Sequence, residues 1–131
     1  MFDERSPIYL QVADRVRADI VSGALNGDQP VTSTTQYATF HRINPATVAK
    51  AYQQLVDEGL LYKKRGIGMF VAPAARSVLL GQRRERFFTE VVDAMVDEAR
   101  TIGVPLTEVI DRLRQAAVAD EVYGTAGRAE R

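Results

Sequence analysis

Apolar residues recur at helical spacing along the first sixty or so positions and then switch to the spacing of strands. Tyr9, Val12, Ala13, Val16 and Ile20, with Arg15, Arg17 and Asp19 between them, predict an amphipathic helix. Ser6 as N-cap, Pro7 as the first helical residue and Gly23 just past the end mark its limits. Ala24 to Val31 carries Gly, Asn, Asp and Pro, which is turn chemistry. Ser33-Thr34-Thr35-Gln36 has the form of a capping box, in which each end satisfies an orphan amide of the other, and opens a short helix from Thr34 to about His41. Asn44-Pro45 starts a third helix, whose apolar stripe is Val48, Ala51, Tyr52 and Leu55 and whose stop is Gly59. Only Arg42-Ile43-Asn44 separates the second and third helices, so they must cross steeply, as in a helix-turn-helix.

Beyond Gly59 two β-prone runs, Leu60 to Arg65 and Met69 to Ala72, flank Gly66-Ile67-Gly68 and predict a hairpin. Helix, helix-turn-helix and hairpin in that order make a winged helix. Further on, Phe88, Val92, Met95, Ala99 and Ile102 form a heptad-like stripe, Gly103-Val104-Pro105 breaks it, and Leu106, Val109, Ile110, Leu113 and Ala117 form another. Two such stripes cover each other only in part. A twofold partner is expected to complete that core, with Phe88, Val92, Met95, Ala99, Ile102, Leu106, Val109, Ile110 and Leu113 as the dimer interface. Folding back onto the winged helix is the alternative. The expected fold is therefore mainly α, a winged helix-turn-helix domain (three helices plus a β-hairpin wing) over residues 1–72. A two-helix C-terminal dimerisation hairpin follows over 73–120, and a flexible tail, containing Gly124-Thr125-Ala126-Gly127, over 121–131.

Composition narrows the function. The chain has 131 residues, 46% hydrophobic and 26% charged, which is ordinary for a folded protein. Having no cysteine, it forms no disulfide and no thiolate zinc site. No apolar run approaches a membrane span and the N-terminus lacks an apolar signal region, so no membrane association and a cytoplasmic location are expected. The formal net charge of zero taken alone disfavours nucleic acid, but it is an average over unlike segments. Residues 41–70 hold Arg42, Lys50, Lys63, Lys64 and Arg65 against only Asp57 and Glu58.

That basic stretch carries the candidate chemistry. With its apolar stripe turned inward, the third helix presents Ala46, Thr47, Lys50, Gln53 and Gln54 outward, short near its start and able to approach base edges or phosphates. Lys63, Lys64, Arg65 and Gly66 place cations beside a lean turn suited to a narrow, electronegative minor groove. A solvated helix face and lysines guarding a strand edge would read the same way taken singly; the helix-turn-helix just upstream favours DNA. Gly66-x-Gly68 lacks the third glycine and the helix of a dinucleotide loop, and His41, the single histidine, has no cysteine near it. Asp93, Asp97 and Glu98 read as a solvated face with Arg100. Neither an active site nor a metal or cofactor is expected.

The residues Ser6-Pro7-Ile8-Tyr9-Leu10-Gln11-Val12, Gly23-Ala24-Leu25, Asn44 to Tyr52, Glu58-Gly59-Leu60-Leu61 and Arg65 to Val71 together resemble the N-terminal domain of GntR-type bacterial transcription regulators. The short helical C-terminal part is similar to that of the YtrA-like subfamily. The resemblance implies a homodimeric repressor holding a palindromic operator on double-stranded DNA. It places Asn44, Ala46, Thr47 and Lys50 on the recognition helix, Arg65 and Gly66 at the wing tip, and Ser33 and Thr35 near phosphate at the start of the second helix. Thr35 stands where the family usually has an arginine, which predicts weaker phosphate anchoring and more reliance on Lys50 and the wing. A small-molecule effector of unknown identity is left open, and a winged helix used for protein interaction without DNA is the rival reading.

Overall fold

The structure, a computed structural model, describes residues 2–124. Its elements are α1 (Ile8–Ser22), α2 (Thr34–His41), α3 (Pro45–Asp57), β1 (Leu61–Lys64), β2 (Gly68–Val71), α4 (Ala75–Arg86), a π-helical segment Phe87–Val92, α5 (Asp93–Ile102), α6 (Leu106–Ala119) and a second π-helical segment Asp120–Gly124. The mainly α fold with a two-stranded antiparallel hairpin is the one expected. The chain divides into two compact units, the first ending at Arg84 and the second starting at Glu85.

In the first unit, the core is built from the faces that the periodicity marks. Val12, Ala13, Val16 and Ile20 of α1, Ala38 of α2 and Val48, Ala51, Tyr52 and Leu55 of α3 are buried together with Leu60, Leu61 and Val71. Two helix starts match their sequence signals. Ser33 caps α2 by accepting the Gln36 N–H at 3.1 Å, and Asn44 caps α3 by accepting the Ala46 N–H at 2.8 Å, with Pro45 first in the helix. The tight turn between them is closed by Arg42 in the left-handed region, φ 56°. The α1 start is shifted by one residue: Pro7 is the N-cap, and its carbonyl accepts from Leu10 and Gln11. The Gln11 side chain then ties down the preceding arm through Asp3 and Ser6.

The unit also runs beyond the boundary expected at residue 72. Ala75 and Leu79, one turn apart on α4, are buried in the same core, and the Arg76 guanidinium donates to the Val21 carbonyl at the end of α1. A polar-looking helix is thus held by two apolar anchors and one hydrogen bond.

In the second unit α5 ends at Gly103 (φ 76°), whose N–H reaches back to Ala99 and Arg100, and Val104 donates to Ala99 at 2.8 Å. Ala99 is buried, and Val92, Met95, Leu106 and Val109 are half-buried. Phe88, Ile102, Ile110 and Leu113 are exposed. Residues 121–124, expected to begin a flexible tail, lie in the second π-helical segment, because the helical backbone carries on past Ala119; Thr125 onward lies outside the described residues.

Candidate nucleic-acid interface

One cleft of about 340 Å³ is lined by Ser33 and Thr34 at the start of α2, Ala49, Tyr52 and Gln53 of α3, and Lys63, Gly68 and Met69 of the hairpin; of the expected site residues it brings together Ser33 and Lys63, while Thr35, Asn44, Ala46, Thr47, Lys50, Lys64, Arg65 and Gly66 lie outside its lining. Three elements therefore face one groove, and each is there for a local reason. The capped start of α2 leaves the Ser33 and Thr35 side chains at the surface. Burial of Val48, Ala51, Tyr52 and Leu55 turns Ala46, Lys50 and Gln53 outward on α3, with Thr47 half-buried beside them. The Asn44 Oδ1 accepts the capping bond and so fixes where that helix begins.

Register decides what the hairpin presents. Leu61 pairs with Val71, Tyr62 with Phe70, Lys63 with Met69 and Lys64 with Gly68. Side chains alternate along a strand, so Lys63 and Met69 share the face of the buried Leu61 and Val71, whereas Lys64 lies on the other face with Tyr62 and Phe70. The Lys64 ammonium sits 4.6 Å from the Phe70 ring centroid and 5.9 Å from that of Tyr62. The three adjacent cations are thus divided: Lys63 lines the cleft, Lys64 covers the outer face, and Arg65 stands with Gly66 in the turn. Gly66 takes φ 75°, a conformation that a side chain would strain.

Further contacts hold the groove open. The Tyr52 hydroxyl donates to the Thr32 carbonyl at 2.6 Å, fixing the segment that feeds α2, and burial, followed by the neighbouring Tyr37, pushes that phenol's pKa up. Val31 donates to Met69 and Val71 to Gln29, so the same segment braces β2, with a bridge between Pro30 and Phe70. Tyr62 donates to Asp28 at 2.6 Å, and that hydrogen bond raises the Tyr62 pKa.

Lys50 is placed in a way the periodicity alone does not indicate. Its ammonium lies 4.0 Å from the Tyr9 ring centroid, so α1 positions the one lysine on α3. Gln53, expected on the outward face of α3, lines the cleft together with Ala49 and Met69, which neither charge nor capping marks in the sequence. His41 packs among the rings of Phe2, Tyr37 and Phe40. Among the described residues no cluster of His, Asp or Glu could hold a metal ion, and no helix is long and apolar enough to cross a membrane.

The family model described as bacterial regulatory proteins, gntR family, matches residues 8–71. A transcriptional regulator of the GntR family from Bacteroides thetaiotaomicron is 32% identical in its crystal structure, with a TM-score of 0.68 over 86% of this chain and 98% of that one. The HTH-type transcriptional repressor YtrA of Bacillus subtilis is 27% identical over 86% of this chain and 88% of its own length. The crystal structure of the AraR DNA-binding domain in complex with operator ORX1 is 30% identical over 55% of this chain and 93% of that one, with a TM-score of 0.52.

Proposed function

We propose, for a chain that belongs to the gntR family of bacterial regulatory proteins, that it is a DNA-binding transcription regulator. In this reading it acts as a repressor in the cytoplasm, and as a homodimer on a palindromic operator. The observation that carries the reading is the groove in which the start of α2, the outward face of α3 and the Lys63 face of the hairpin converge. The capped helix start and Lys63 suit a phosphate, Thr47 is short enough to approach a base edge, and Arg65 on its glycine turn suits a minor groove. The likeness to an operator-bound DNA-binding domain, and to relatives named as regulators and repressors rather than enzymes, supports the same conclusion.

Dimerisation is assigned to the second unit. Phe88, Ile102, Ile110 and Leu113 leave an apolar surface there, and a second copy would cover it through the residues that the two stripes mark. Two winged helices related by a dyad then read half-sites separated by about one helical turn, roughly 10 bp, or a multiple of it. Selection of bound sequences from random duplex DNA tests the proposal. Inverted repeats are expected; absence of any enriched sequence would leave protein interaction as the better reading.

A further inference from the structure

The turn of the hairpin is Arg65-Gly66-Ile67, closed by the Ile67 N–H donating to the Lys64 carbonyl at 3.0 Å. Lys64 is drawn back over Phe70, so the tip itself presents one cation, Arg65, and one apolar side chain, Ile67, which is 74% exposed. Gly66 at φ 75° and Gly68 at φ 146° flank the isoleucine, and a Cβ at either would meet nothing within 4 Å. Ile67 therefore stands alone at the end of a slim hairpin, and its β-branch leaves little rotamer freedom to lose on contact. A lone exposed apolar residue on a broad surface needs no explanation. At a hairpin tip beside an arginine, it is the first apolar surface that a groove meets.

We infer that Ile67 is a specificity-determining residue, an apolar reader that enters the minor groove beside Arg65 and selects A·T over G·C at that step. The inference rests on the DNA-binding reading and deepens it. In the minor groove A·T and T·A show only acceptors, while G·C adds the guanine N2 amino group, which rises from the groove floor. A branched apolar side chain pressed to that floor meets open space over an A·T pair. Over guanine it collides with the amino group and strips its water without offering an acceptor. Apolar wedges of this kind, isoleucine among them, are a general device of minor-groove contact.

The test uses the full chain and a labelled duplex recovered from random DNA by selection. Each flanking pair is changed in turn from A·T to G·C and to inosine·C, which lacks the amino group but keeps the G·C pattern in the major groove. Binding is measured for the native protein and for Ile67→Ala, Ile67→Val and Arg65→Ala. At the step facing the wing, G·C should weaken native binding by about 10-fold, within the usual range for one wrong pair, and inosine·C should restore it. Ile67→Ala should shrink that penalty to under about 3-fold with its salt dependence unchanged, and Ile67→Val should keep it, whereas Arg65→Ala should reduce the salt dependence by about one phosphate per protomer. Circular dichroism of each variant should match that of the native protein, since the substituted side chains are exposed. Ile67→Ala retaining the full penalty, or weakening every duplex equally, overturns the inference alone. Failure of the native protein to bind any duplex overturns the DNA-binding reading itself.

Discussion

Removing the hydroxyl of Tyr52 probes the joint between the core and the groove. The ring is 2% exposed, packed in the core, while its oxygen donates to the Thr32 carbonyl at 2.6 Å, one residue before the α2 cap. Tyr52→Phe keeps the ring and deletes the bond, so at neutral pH it should cost about 1 kcal/mol, the net value of a typical hydrogen bond. In a unit of this size that lowers the melting temperature by roughly 4–8 °C. Alkaline pH adds a second signature. Burial raises the phenol's pKa above its ordinary value, so the folded state favours the protonated form. Below about pH 10 both folded and unfolded chains hold that proton and the contribution is intact. Above it the unfolded chain releases its proton while the folded chain retains it, so native stability falls as pH rises. The Phe variant has no proton to lose at this position. Urea unfolding followed by circular dichroism, from neutral pH to beyond the ordinary tyrosine range, should show the variant less stable at first and the gap narrowing above about pH 10. A gap that is absent at neutral pH, or that stays constant into the alkaline range, would refute the reasoning.

Other substitutions separate stability, assembly and binding. Leu55→Ala, at a fully buried position of α3, should destabilise the first unit by about 2–5 kcal/mol in chemical unfolding. Phe88→Asp, at a half-exposed apolar position of the second unit, should shift sedimentation from dimer toward monomer while leaving the helical spectrum unchanged. Arg65→Ala should reduce the slope of log affinity against log salt by about 0.9 per protomer, read by fluorescence anisotropy on duplex DNA.

Much of this arrangement was legible in the sequence wherever the cause is local. The caps at Ser33 and Asn44, the α3 stripe and the left-handed glycines follow from neighbouring residues, and all stand where the spacing puts them. The division of Lys63 from Lys64 follows from strand alternation, but only once the register is known, and the register is set by the turn. The Lys50–Tyr9 pair joins two helices far apart in sequence, and no pattern within either helix marks it. The extension of the first unit to Arg84 rests on Ala75 and Leu79, and the run Val78-Leu79-Leu80 in Ala75–Arg86 does not by itself mark which apolar residue turns inward. Net charge was the least informative quantity, because it sums faces that the fold keeps apart.

Sequence-dependent grip of duplex DNA by the α2–α3–hairpin groove is read from the affinity of the full chain for a selected duplex and for a scrambled duplex of the same composition, each across a series of salt concentrations. Both affinities should fall linearly on logarithmic axes as salt rises, with the selected duplex bound at least about 10³-fold more tightly. Equal affinity for the two duplexes, or binding indifferent to salt, would contradict it.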